Sequence, residues 1–166
     1  GVKGAMATAA LETAGVNKTS VNRLIFLPQT NINIWGKPYL KIDVVRSADM
    51  NRTPDMRTRA YLPNWCAEVE IRFATPNFSA RSISSLVQNA GQLIGLGDFR
   101  QEKGRGSFGT FSIAGEELGE YQELWDELMQ EGREVQELAR DNPECADQET
   151  AELMQFLQEE RLRRAA

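Results

Sequence analysis

Histidine is absent from the 166 residues. Without an imidazole there is no Ser-His or Cys-His pair, no His-liganded metal, and no ribonuclease mechanism that passes protons through histidine. Cysteine is nearly absent. Cys66 and Cys145 are the only two, far apart and without CxxC spacing, which points to a reduced, cytoplasmic setting rather than a disulfide framework. Long apolar runs are also missing. Gly, Pro or charge interrupts each of them well before about 18 residues, so neither a signal peptide nor a membrane span is expected. No Asp/Glu cluster is spaced like a metal-binding loop. These absences set the expectation of a non-enzymatic protein with no metal and no cofactor.

What is present suits a soluble domain. The hydrophobic fraction of 41% is enough for a core, and 26% charged residues is ordinary. The length fits one compact domain or a small domain with an appendage. The net charge of −5 hides a division. Through Gly115 there are 14 Lys+Arg against 8 Asp+Glu, or +6; from Glu116 onward there are 5 against 16, or −11. Such asymmetry points to a basic nucleic-acid-binding body over residues 1–115, carrying an acidic appendage over 116–166.

The pattern predicts an Ala-rich helix near the start (AMATAALETA), ended by Gly15. No strand precedes this helix, and an upstream segment is expected to be missing. Strands are expected at 22–27 (NRLIFL), 32–35 (INIW) and 39–45 (YLKIDVV). The polar stretch 46–64 reads as an extended loop or finger. At 65–73 (WCAEVEIRF) alternation is strict: Trp65, Ala67, Val69, Ile71 and Phe73 inward, Glu68, Glu70 and Arg72 outward. Ser79 caps a predicted helix to Ile94, with Ile83, Leu86, Val87, Ala90 and Ile94 on its apolar face. A glycine-rich turn, QEKGRGSFG, then leads into a last strand at 110–113. This order is that of an α+β, ferredoxin-like (RRM-like) βαββαβ body without its first strand. Beyond Gly115, Leu118, Tyr121, Trp125, Leu128, Gly132, Val135 and Ala139 form a helical stripe from about 116 to 140. Asp141-Asn142-Pro143 breaks it, and Asp147 can cap a second helix, completing a helical hairpin.

Three motifs are tempting and do not hold. Gly104-x-Gly106-x-x-Gly109 matches a dinucleotide fingerprint, but a strand rather than a helix is expected after it. The same GRGSFGTF imitates a kinase loop with no HRD or DFG downstream. AGVNKTS has a Lys-Thr pair without the P-loop glycine. What remains is physical: Lys103, Arg105 and the peptide groups of Gly104, Gly106 and Gly109 could approach a phosphate, or the glycines could simply close a tight hairpin.

Several short stretches carry a resemblance. Gly1-Val2-Lys3-Gly4-Ala5 resembles the second half of the Gly-x-x-x-Lys-Gly element of the RAMP superfamily, the ferredoxin-like RNA-binding proteins that line CRISPR effector complexes. In that family the element opens the first helix beside the nucleic-acid groove. Gly95-Leu96-Gly97-Asp98-Phe99-Arg100 and Gly104 to Gly109 resemble the family's glycine-rich loop, and Arg46 to Arg59 sits where its backbone subunits carry a thumb. The patterns DVVR, TPDMRTR and IGLGDFR resemble those of a group of phage-encoded RAMP-like proteins. The acidic segment after Gly115 departs from the family pattern.

The resemblance implies backbone contacts from Lys3, Arg46, Arg52, Arg57, Arg59, Arg100, Lys103, Gly104, Arg105 and Gly106, of the kind that bind without sequence preference and weaken with salt. Tyr61, Trp65, Phe99 or Phe108 could stack a base. Leu118, Tyr121, Trp125, Leu128 and Val135 are the expected oligomer contact. The expected partners are therefore single-stranded RNA or DNA and further copies of the chain in a nucleoprotein assembly, in the cytoplasm of a bacterial host. Two rivals stand beside this reading. One is a virion or assembly protein in which basic body and acidic tail pair between neighbours; the other is a nuclease using Asp49 or Asp55.

Overall fold

The computed structural model describes residues 1–46, 50–103, 106–115 and 121–165, and of Lys103 the backbone alone. Asp49, Gly104, Arg105, Leu118 and the Lys103 side chain, all named above, lie outside what is described. The elements in chain order are α1 (Val2–Ala9), α2 (Lys18–Leu24), β1 (Ile25–Phe26), β2 (Tyr39–Arg46), β3 (Pro54–Tyr61), β4 (Arg72–Phe73), α3 (Ala80–Asn89), α4 (Gln122–Glu131), α5 (Glu134–Asp141) and α6 (Gln148–Ala165). The class is α+β. The described strands form two antiparallel pairs, β1 with β4 and β2 with β3.

The chain divides into two compact units, residues 1–32 with 68–121, and residues 33–67 with 122–166. This differs from the boundary expected at Gly115, because segment 33–67 groups with the C-terminal helices.

The first unit is built on small residues. Ala5, Met6, Ala7, Ala9 and Ala10 are buried along α1 and its 3-10 continuation, Ala10–Glu12. They pack with Val21, Ile25, Phe78, Ile83, Leu86, Ala90 and Ile94. The capped helix forms as expected. Ser79 accepts from the Ser82 amide at 3.2 Å, and the Ser82 hydroxyl accepts from the Ser79 amide at 2.8 Å. A π turn, Ala90–Ile94, extends it. Gly91 in that turn is required by packing: a Cβ there would lie 1.9 Å from the Phe111 carbonyl oxygen.

Three expected strands that fall wholly or partly in this unit are corrected. Residues 18–24 are helical because the Asn17 side chain accepts from the Ser20 amide at 2.8 Å and starts a helix. Only Ile25 and Phe26 of the predicted 22–27 strand pair with a neighbour. Segment 110–113 follows the helix instead of a sheet, its Phe111 and Ile113 amides donating to the Gly91 carbonyl and the Gln88 side chain, each at 3.3 Å. Within 65–73 the inward/outward alternation holds, apart from buried Cys66, but β4 contains only Arg72 and Phe73. Gln29 takes the place of a partner strand there, donating to the Glu68 carbonyl and accepting from the Glu70 amide.

The second unit corrects the loop expected at 46–64. Residues 54–61 form β3, paired residue for residue with β2 from Tyr39↔Tyr61 to Arg46↔Pro54. The pairing sets Lys41 opposite Arg59 and Asp43 opposite Arg57, with Arg59 bonded to Asp43 at 2.9 Å. The 32–35 strand reduces to one bridge between Trp35 and Cys66. The long helix expected at 116–140 is interrupted at Gly132, whose φ of +56° ends α4 before α5 begins. Asp147 caps α6 as expected, accepting from the Thr150 amide at 2.8 Å.

Candidate nucleic-acid interface

In the first unit, the start of α1 and the glycine-rich loop border an open cavity of about 430 Å³. Gly1, Gly4, Ala5 and Thr8 form one wall; Ile94 to Asp98, with Arg100 and Glu102, form the other. The helix-start glycines and the Gly95–Arg100 stretch, distant in sequence, are thereby brought together. The first turn of α1 contains no acidic residue, so its amides present the partial positive charge of a helix N-terminus with nothing on that turn to offset it.

The glycines of this region have different reasons to be glycine. At Gly106 a Cβ would lie 1.6 Å from the Phe99 carbonyl oxygen, and at Gly109 one would lie 1.7 Å from the Leu96 carbonyl oxygen. Close backbone approach within the loop accounts for glycine at both positions. Around Gly4 and Gly97 a Cβ would meet nothing within 4 Å. Gly97 needs its φ of +81°, but Gly4 is helical.

The basic residues are less available than their sequence suggested. Lys3 is not in the cavity wall; its Nζ donates to the Asn22 carbonyl at 3.0 Å and lies over the Phe26 ring. Arg100 is in the wall, but its guanidinium spans the loop, bonding the Gly97 carbonyl at 2.9 Å and Glu102 at 2.7 Å.

In the second unit, Arg57 and Arg59 share one face of the β2–β3 ribbon with Lys41, Tyr39 and Tyr61. Arg57 is paired with Asp55 at 3.1 Å, as Arg59 is with Asp43. Arg46 and Arg52 are exposed at the ribbon's outer end, Arg52 with a φ of +47°. Tyr39 and Lys41 were not foreseen as neighbours of these arginines, since only the register across the turn puts them there.

Segment 33–67 carries 6 Lys+Arg against 3 Asp+Glu, and the acidic helices find their basic partners in it. Lys37 meets Glu144 at 2.7 Å, and Lys41 bonds Asp147. The hydrogen bond from Lys41, with those from Thr150, holds the Asp147 carboxyl far below the usual carboxylate range, and Asp147 in turn raises Lys41. Arg133 lies over the Trp35 ring, and Gln136 donates to the Ile34 carbonyl. The apolar stripe expected to join subunits is partly covered within the chain, with Leu118 outside the described residues. Leu128 is buried and Trp125 and Val135 are half-buried, leaving Tyr121 exposed.

Among known protein families, curated proteins and solved structures, none matches the chain.

Proposed function

We propose that this protein binds single-stranded nucleic acid, RNA or DNA, without catalysing a reaction, and that the cavity between α1 and the glycine-rich loop receives the sugar–phosphate backbone. Gly4 is the observation that supports the reading most. Glycine inside a helix lowers stability by up to about 1 kcal/mol against alanine, and here a Cβ would meet no atom of the described residues within 4 Å. A ligand backbone passing over the first turn of α1 supplies the missing reason, and the amides of that turn attract phosphate. The RAMP resemblance supports the same arrangement, a helix-start glycine beside a glycine-rich loop; a ferredoxin-like body and a phage-type nucleoprotein assembly are its further implications and belong to this proposal.

Subunit assembly along the strand draws on a separate observation. Val44 and Met56 sit opposite each other across the ribbon and are both exposed, as are Leu138, Phe156 and Leu162 of the helices, and further copies of the chain packing on these side chains would cover them.

Gly4→Glu tests the cavity, because stability and binding should move in opposite directions. An acidic residue in the first turn of α1 favours the helix, so the melting temperature should hold or rise. The carboxylate would meet phosphate, and anisotropy with a labelled single strand should show affinity falling at least about tenfold, or ~1.4 kcal/mol. An unchanged Kd in the folded variant would remove the cavity from the interface. Incubating the wild type with labelled strand and Mg²⁺ or Mn²⁺ addresses the nuclease rival, which cleavage would establish.

The ribbon has its own test. Replacing Arg46, Arg52, Arg57 and Arg59 with Ala removes two exposed side chains and the part-exposed Arg57–Asp55 and Arg59–Asp43 ion pairs, worth about 0–1 kcal/mol each, so the fold should survive. Affinity should fall, and the slope of log K against log salt should become shallower by about 0.7 for each phosphate that the variant no longer neutralises. The same slope and affinity in the variant would exclude the ribbon from the interface.

A further inference from the structure

Phe99 has a side chain that neither its backbone conformation nor its burial calls for. It lies between Asp98 and Arg100, which both line the cavity, and takes φ +56°. Bulky side chains are disfavoured in that conformation, whereas glycine and asparagine adopt it readily. The residue is 58% exposed, so core packing does not account for phenylalanine either. The surrounding loop nevertheless holds the conformation firmly. The Phe108 amide donates to the Phe99 carbonyl at 3.3 Å, Gly106 passes against that carbonyl, and Arg100 ties the loop through Gly97 and Glu102. Phe108 is itself 41% exposed, and its ring stands 5.8 Å from that of Phe99 at an interplanar angle of 52°. A strained position held this way and spent on an outward ring marks a contact with something outside the chain.

We propose that Phe99, backed by Phe108, is a stacking platform for an unpaired base of the strand, an inference that rests on the reading of the adjoining cavity as the backbone site. Any base has a face to stack, so the platform is tolerant of sequence, but the base must be out of its duplex to use it. Preference for single over double strands therefore originates at this loop. Tyr61 and Trp65, named for the same role from the sequence, are half-buried residues of the second unit.

The test uses the full chain, labelled oligo(dT) and oligo(U), and the same strands with abasic positions. Phe99→Asn suits the left-handed backbone and should keep or raise the melting temperature. It should bind the intact strand roughly tenfold more weakly, while wild type and variant bind the abasic strand alike. Phe99→Trp should retain affinity and show added fluorescence quenching with the intact strand relative to wild type; should the Asn variant fail to fold, this quenching decides the matter. Wild-type affinity in Phe99→Asn, or Phe99→Trp binding without added quenching, overturns the platform. A wild-type protein that binds no single strand overturns the backbone-site reading beneath it.

Discussion

A chain ended at Gly115 is expected to lose the structure of residues 33–67 while its α1–α3 core stays folded. The removed helices supply much of what holds β2. Leu40 bonds the Glu144 carbonyl at 2.7 Å and the Ala146 amide at 2.8 Å, and the Ile42 amide donates to buried Thr150 Oγ1 at 3.2 Å. Ile42 and Leu128 are each buried, contributing about 1.5–3 kcal/mol apiece, and the Lys37 and Lys41 ion pairs go with the helices. A two-stranded ribbon left alone is marginal in water. The buried cluster of the first unit, by contrast, draws on no residue beyond Phe111 among those described. Hydrogen exchange on the two chains checks this. The β2 and β3 amides should exchange nearly unprotected after truncation, with α1 and α3 unchanged; protected β2–β3 amides would show that the acidic helices are a separable tail. Any change in strand affinity on truncation accordingly reports the unfolded ribbon as well as the missing acidic segment.

Gly106→Val should be severely destabilising. Its Cβ would sit 1.6 Å from the Phe99 carbonyl oxygen and 2.8 Å from the Arg100 amide nitrogen, both backbone atoms that no rotamer change can move aside. The loop must open, breaking the Phe108–Phe99 hydrogen bond and the Arg100–Phe108 bridge. Overpacking of this kind costs about 3 kcal/mol or more, a fall of roughly 10 °C in melting temperature. Gly106→Ala should share the defect, since the clash is at Cβ. A Gly106→Val protein that melts like wild type and loses only strand binding would make Gly106 a ligand contact after all. Comparison with Gly4→Glu sharpens the result, because the melting temperature should fall at Gly106 and hold or rise at Gly4.

Features that depend on a few neighbouring residues were legible in the sequence. The Ser79 cap and apolar face of α3, the Asp147 cap of α6, the strand at Tyr39–Val45 and the alternation of 65–73 all follow from local hydrogen bonding and side-chain period. Features that need a distant partner were not. Residues 65–71 have a strand's pattern but make only a single bridge, from Cys66 to Trp35, and meet the Gln29 side chain at Glu68 and Glu70, so pattern alone overstated the strand. Residues 54–61 have little burial and much charge, and read as loop until β2 supplies the register that pairs them. Charge balance divided the chain at Gly115, whereas the folded chain sets its acidic helices against its own basic segment, because ion pairs and hydrogen bonds form between whichever groups the topology brings within reach. The candidate site divides the same way. The sequence alone determined that no histidine chemistry operates and that glycine-rich and arginine-rich segments exist. Only the tertiary structure separated Gly106, which has another peptide against it, from Gly4, which has open space, because what a missing side chain makes room for is set by atoms far away along the chain.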